Sequence, residues 1–161
     1  MKAPMAALLV GRRCMGALQQ ALQEQGFQTC RARNCAEVQA VLQEPGSPRL
    51  VFSDTALPDG TWVEVVKFAA EAREPAQVIV VSRLADLRLY LDTLERGATD
   101  FVAPPFVGHD LAHIVRCAVG GRPRQRAGKG SRAPFQLHAY VLHLFRGRPL
   151  WLRHRWATMR G

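Results

Sequence analysis

Two polar residues stand where apolar runs end. Asp54 directly follows Leu50–Ser53 (LVFS), and Ser82 directly follows Val78–Val81 (VIVV). Short continuous apolar runs suit strands covered on both faces. Both polar groups should therefore emerge at the end of a buried strand, with Asp54 leading into the turn-forming stretch Thr55–Ala56–Leu57–Pro58–Asp59–Gly60. A carboxylate nucleophile with a neighbouring hydroxyl can accept a phosphoryl group and then sense it, because the hydroxyl can hydrogen-bond the new anion. Spacing alone does not single this chemistry out. An Asp ahead of Pro–Asp–Gly also serves simply to cap a turn, and a Ser at a strand end is commonly satisfied by backbone.

Other residues with chemical potential are less well placed. His109 and His113 are four apart and would share one helix face as a metal-binding pair, but no third ligand of suitable type stands near them in sequence, and a solvated face is the simpler reading. Cys14, Cys30, Cys35 and Cys117 form no CxxC pair. Buried, reduced thiols of a cytoplasmic protein account for them. Trp62, just past the Leu57–Gly60 turn, is read as packing rather than as a partner contact.

The elements that must position these groups follow from periodicity. Strands are expected at Met5–Val10, Phe27–Cys30, Leu50–Ser53, Val78–Val81 and Phe101–Ala103. Between them, helix-period stripes run through Ala17, Leu18, Ala21 and Leu22, ending at Gly26, and through Val38, Val41 and Leu42, with Asn34 as N-cap and a stop before Pro45–Gly46. Three more follow: Val63, Val66 and Phe68–Ala69; Leu87, Leu91 and Leu94, closed by Gly97; and Leu111, Ile114, Val115 and Ala118, closed by Gly120–Gly121. Strand and helix alternating five times predicts an α/β fold, a (βα)5 doubly wound, parallel five-stranded sheet. Function in such a sheet gathers at the C-terminal strand ends. Those positions are Gly11 and Arg12, Asp54, Ser82 and Arg83, and Pro104 and Pro105.

The stretches LVFSDTALPDG, VIVVSR and GATDFVAPPF, in that order, closely resemble the core signatures of bacterial response-regulator receiver domains, and the resemblance covers roughly residues 5–120. It implies that Asp54 is the aspartate phosphorylated by a partner histidine kinase. Ser82 would then be the switch hydroxyl and Phe101 the switch aromatic, acting on a signalling surface of the fourth helix, fifth strand and fifth helix.

The departures from the family pattern fall in the phosphate-site loops. The family binds Mg²⁺ with the phosphoacceptor and an acidic pair after the first strand. Here that loop reads Gly11–Arg12–Arg13, and no acid occurs before Glu24. Mg²⁺ needs hard oxygen ligands in near-octahedral geometry, so a site built on Asp54 alone would leave most positions to water. The family's phosphate-contacting Lys is replaced by Pro104, ahead of Pro105. A guanidinium from Arg12 or Arg13 could substitute electrostatically for the cation.

The 161 residues, 48% hydrophobic and 22% charged, suffice for one globular domain, and no apolar run approaches a membrane span. The apolar stretch near the N-terminus is too short for a signal peptide and reads as the first strand. The formal charge of +9 is unevenly spread: all 13 acidic residues lie within positions 1–120, whereas residues 121–161 hold ten basic side chains and no acid. The expected organisation is a receiver-like domain over 1–120 and a basic linker and tail over 121–161. The tail's composition favours disorder, with contact to nucleic acid through residues 122–160 or to a membrane surface as rival readings.

The leading functional reading is a receiver protein in phosphorelay signalling that works through protein–protein contacts, not a metabolic enzyme, with a sensor histidine kinase or other signalling protein as partner. A non-phosphorylated pseudo-receiver scaffold, which could act as a homodimer, and a nucleic-acid-binding regulator stand as alternatives. A flavodoxin-like cofactor binder is disfavoured, because no Ser/Thr/Gly-rich phosphate loop follows the first strand.

Overall fold

The computed structural model describes residues 5–12, 15–83 and 86–120. The expectations for Arg13, Cys14 and the tail over 121–161 lie outside these residues. Five strands, β1 (Ala6–Val10), β2 (Gln28–Ala32), β3 (Leu50–Asp54), β4 (Gln77–Val81) and β5 (Asp100–Val102), form one sheet in the order β2-β1-β3-β4-β5. Every pairing in it is parallel. The helices are α1 (Met15–Glu24), α2 (Cys35–Gln43), α3 (Trp62–Ala70), α4 (Leu87–Glu95) and α5 (Gly108–Gly120). The (βα)5 expectation holds. The strand limits differ by one or two residues at β1, β2, β3 and β5, and β4 begins one residue early at Gln77.

Strand alternation sorts the core. Leu8, Val10, Val51 and Val78 point to the face where α2 and α3 pack on each other, joined there by Val38, Leu42, Val65 and Ala69. The alternate residues Leu9, Leu50, Phe52 and Ile79, all buried, point to the opposite face, where α1 meets α5. Each such large apolar side chain, fully buried, stabilises the fold by about 1.5–3 kcal/mol.

Three helix stripes depart from expectation, among them α3, which buries Trp62, Val65 and Ala69 while Val63, Val66 and Phe68 are only partly covered. On α1 the buried residues are Met15, Leu18, Ala21 and Leu22, and Ala17 is exposed. On α4 they are Tyr90 and Thr93, whereas Leu91 is exposed. On α1 and α4 a longer or aromatic side chain close in sequence reaches the core better, and the wheel turns to admit it. Trp62 is buried at the start of α3, as packing requires.

The helix ends follow local chemistry. Asn34 caps α2, its Oδ1 accepting from the Glu37 N–H at 2.8 Å. After α1, Gly26 takes φ +82° while the Phe27 N–H donates to Leu22 O and the Gly26 N–H to Gln23 O. This closure needs a left-handed residue, which glycine adopts without a β-carbon penalty. A small antiparallel hairpin, Ala56–Leu57 against Gly60–Thr61, follows β3.

Candidate phosphoacceptor site

Register places the site. Val10 pairs with Ser53, Asp54 with Val81, and Val81 with Val102, so four neighbouring strands end in one row. Gly11, Asp54 and Ser82 therefore share the C-terminal edge of the sheet, with Pro104 and Pro105 two and three residues beyond the β5 end.

Asp54 is only 7% exposed. A carboxylate so enclosed must be hydrogen-bonded to be tolerated, and its Oδ1 accepts from the Thr55 N–H at 2.9 Å. Ser53 turns its hydroxyl back onto the Asp54 carbonyl at 3.0 Å, which ties the last residues of β3 together. Ser82 is half-buried, and its N–H donates to Val102 O at 3.0 Å, so β5 fixes the backbone that carries the hydroxyl. Phe101 is fully buried and meets Tyr90 of α4 edge-to-face, with ring centroids 6.1 Å apart and planes at 80°.

The loop after β1 is held by backbone contacts. The Gly11 N–H donates to Ala32 O at 2.9 Å, and the Arg31 guanidinium donates to Gly11 O at 3.3 Å. Gly11 has φ +114°, and a β-carbon built on it would stand 2.6 Å from Asp54 Cβ and 3.2 Å from Asp54 Oδ2. The carboxylate thus lies against a bare α-carbon at the position where the family places an acid. Arg12 is exposed, and Pro104 and Pro105, joined by a cis peptide bond, are exposed as well.

Mg²⁺ does not fit these residues well. It demands a near-octahedral oxygen set, yet of the two acid positions Gly11 offers no side chain and Arg12 offers a positive charge. The donor that remains, Asp54, leaves too few oxygens to define such a site.

Three residues that sequence reasoning passed over hold the surroundings in place. Asp59, in the turn after β3, accepts from the N–H groups of Cys35 at 2.7 Å and Ala36 at 3.1 Å, so it caps α2 from another part of the chain. These bonds, the one from the Cys35 N–H foremost, hold its carboxyl below the usual carboxylate range. Glu64 and Thr61 form a capping box at α3, for which Thr-x-x-Glu ahead of an apolar run was a readable signal. For Asp59 no local signal exists, because its partners are 24 and 23 residues away.

The cysteines divide. Cys35 is buried, and its thiol is pushed up to about 11, first by burial and then by the Asp59 and Glu64 charges. Cys30 and Cys117 are exposed, contrary to the expectation of buried thiols. Strand β2 is an edge strand and α5 turns residue 117 away from its buried stripe.

Similar proteins place the fold. The receiver domain of the sensor histidine kinase PA1611 from Pseudomonas aeruginosa, solved with a magnesium ion in its active-site cleft, matches with a TM-score of 0.62 at 17% identity, over 74% of this chain and 100% of that one. CheY of Borrelia burgdorferi, solved in complex with CheX, BeF3 and Mg, matches with a TM-score of 0.61 at 22% identity, over 72% and 90%. In sequence, the photosynthetic apparatus regulatory protein RegA of Rhodovulum sulfidophilum is 28% identical over 94 residues, 58% of this chain and 51% of RegA. The chain thus spans about half the length of the curated relative it matches. Residues 12–116 match the family model of the response regulator receiver domain, and with the strand order and the Asp54 edge already in place, the chain belongs to the receiver domain family of two-component signalling.

Proposed function

We propose that this receiver domain transmits its signal through protein–protein contacts, with Asp54 as phosphoacceptor, Ser82 and Phe101 as the switch, and a sensor histidine kinase or another signalling protein as partner. The observation that carries this reading is the enclosed Asp54 carboxylate at the end of β3, one register step from the strand that presents Ser82. In the transfer, a carboxylate oxygen of Asp54 attacks the phosphorus of the donor. The bond from phosphorus to the donor breaks, an acyl phosphate forms, and the leaving group takes its proton from water. The Ser82 hydroxyl then has a new anion to bond, and the α4–β5–α5 surface, where Phe101 meets Tyr90, reports it.

Phosphoryl transfer rests on positioning and electrostatic stabilisation, and this edge lacks the acids and the lysine that supply them in the family. The modification is therefore slow. The contact between Gly11 and Asp54 favours, as a second reading, a pseudo-receiver that binds its partner without phosphorylation.

Mass spectrometry after incubation with acetyl phosphate, with and without Mg²⁺, separates the two, with Asp54→Asn as the blank. Slow labelling at Asp54, little changed by Mg²⁺, supports the phosphoacceptor role. No labelling over long incubation supports the pseudo-receiver. Rapid Mg²⁺-dependent labelling overturns the argument for a depleted pocket, and labelling that survives Asp54→Asn overturns the site itself.

A further inference from the structure

The loop after β1 carries no acid, yet it is anchored from the neighbouring strand. Leu9 pairs with Arg31 and Val10 with Ala32, so the end of β2 stands beside the turn at Gly11. Two consecutive β2 residues grip that glycine: Ala32 O accepts from the Gly11 N–H at 2.9 Å, and the Arg31 guanidinium donates to Gly11 O at 3.3 Å. Gly11 is thus held on both sides of its α-carbon, and that α-carbon is the one lying against Asp54.

The carboxylate is set from two directions. Its Oδ1 accepts from the Thr55 N–H at 2.9 Å. Its Oδ2 is the oxygen nearer to Gly11, where a β-carbon would stand 3.2 Å away, so Gly11 bounds the space in which Oδ2 can turn. Glycine does not fix its own backbone, since it enters positive φ about as readily as negative φ. What holds Gly11 at φ +114° must come from outside the loop. A guanidinium is always charged, and a charge-assisted hydrogen bond is about twice as strong as one between neutral groups.

We propose that Arg31 is a positioning residue for Asp54, acting through Gly11: its bond to Gly11 O presses the bare loop against the carboxylate and sets the direction from which Oδ2 meets a phosphoryl donor. In the family a bound cation joins the β1 loop to the phosphoacceptor. Here the loop and the carboxylate are joined by packing, and an arginine of the edge strand β2 keeps that packing in place. The consequence for transfer rests on the reading of Asp54 as phosphoacceptor, whereas the positioning itself does not. Because a misplacement of about 1 Å can slow a reaction by about 10²-fold, loss of the Arg31 bond should be felt at Asp54 although Arg31 is exposed.

The test compares Arg31→Gln and Arg31→Lys in the whole 161-residue chain, with Arg33→Gln as a control of equal charge change at another exposed position. Two quantities are read: the initial rate of Asp54 labelling by acetyl phosphate, and the amide resonance of Thr55, which reports the bond to Asp54 Oδ1. Arg31→Gln should slow labelling by about tenfold or more and move the Thr55 resonance, at a urea midpoint close to the parent's. Arg31→Lys should recover most of both, and Arg33→Gln should change neither. If the parent is not labelled while the Thr55 resonance still follows Arg31, the phosphoacceptor reading fails and the positioning stands. The inference is overturned by a Thr55 resonance that ignores Arg31→Gln, by labelling of Arg31→Gln at the parent rate, or by a slowing that tracks a fallen urea midpoint and is not recovered in Arg31→Lys.

Discussion

The α-carbon of Gly11 lies so close to Asp54 that a β-carbon on it would stand 2.6 Å from Asp54 Cβ, and the backbone there has φ +114°. Any side chain at this position must both enter a conformation that L-residues avoid and displace the candidate phosphoacceptor. Gly11→Ala should therefore cost about 1–3 kcal/mol, seen as a lower urea midpoint. Arg12→Ala, at an exposed position, should stay within about 0.5 kcal/mol of the parent. Equal midpoints for Gly11→Ala and the parent would show that the loop relaxes freely.

The same contact dictates how an acidic cation site could be rebuilt. Placing Asp at both Gly11 and Arg12 would restore the family's pair on paper, but the first change collides with Asp54. Arg12→Asp combined with Pro104→Lys, both at exposed positions, supplies one acid and one phosphate-directed cation without touching Gly11. This double variant should label at Asp54 faster than the parent in the presence of Mg²⁺, by about an order of magnitude or more, since each charge helper contributes on the scale of a few kcal/mol to transfer. A rate no greater than the parent's would place the deficit elsewhere than in these charges.

Acid should loosen the cap that joins the turn after β3 to α2. The Asp59 carboxyl is lowered from its usual value of 3.8, chiefly by the Cys35 N–H, and Glu37 and Glu64 are lowered from 4.5, chiefly by the Arg33 N–H and the Thr61 hydroxyl respectively. A group depressed by folding stabilises the fold above its unfolded value and ceases to do so as pH falls through the folded one. The contribution is thus intact above about pH 5 and lost progressively below about pH 4. Thermal midpoints measured from pH 7 to pH 3 should fall on the acid side, and Asp59→Asn should make that fall shallower. An unchanged acid slope in Asp59→Asn would remove Asp59 from the account.

The Tyr90–Phe101 pair couples α4 to β5. Phe101→Ala should cost about 3–5 kcal/mol, because a fully buried ring leaves a cavity. A double-mutant cycle with Tyr90→Leu and Phe101→Leu should return a coupling of about 0.5–1.5 kcal/mol for the edge-to-face contact. Strict additivity would mean that the two rings merely share a core.

The basic residues beyond position 120 give a prediction that needs only their charge. If they contact a polyanion, retention on heparin should fall steeply with salt, and a chain ending at Gly121 should elute far earlier while unfolding at the same temperature. Equal elution of both forms would show that the extension is not a binding element.

The sequence by itself determined the order of elements and the edge at which function gathers. Apolar runs of three to six residues alternating with helix-period stripes admit few arrangements, since parallel strands need crossover helices and their polar exits must share one edge. Asp54 and Ser82 were legible for that reason, and so were the Asn34 cap and the Gly26 stop, whose chemistry is local. The tertiary structure decided what depends on residues distant in sequence. Asp59 caps a helix that begins 24 residues earlier, Tyr90 displaces Leu91 from the core because Phe101 of another strand awaits it, and Gly11 is glycine because Asp54 fills the space where its side chain would be. Periodicity records which face of an element is apolar, but not which atom of a distant strand will stand against it, since that is set by the register and packing of the folded chain.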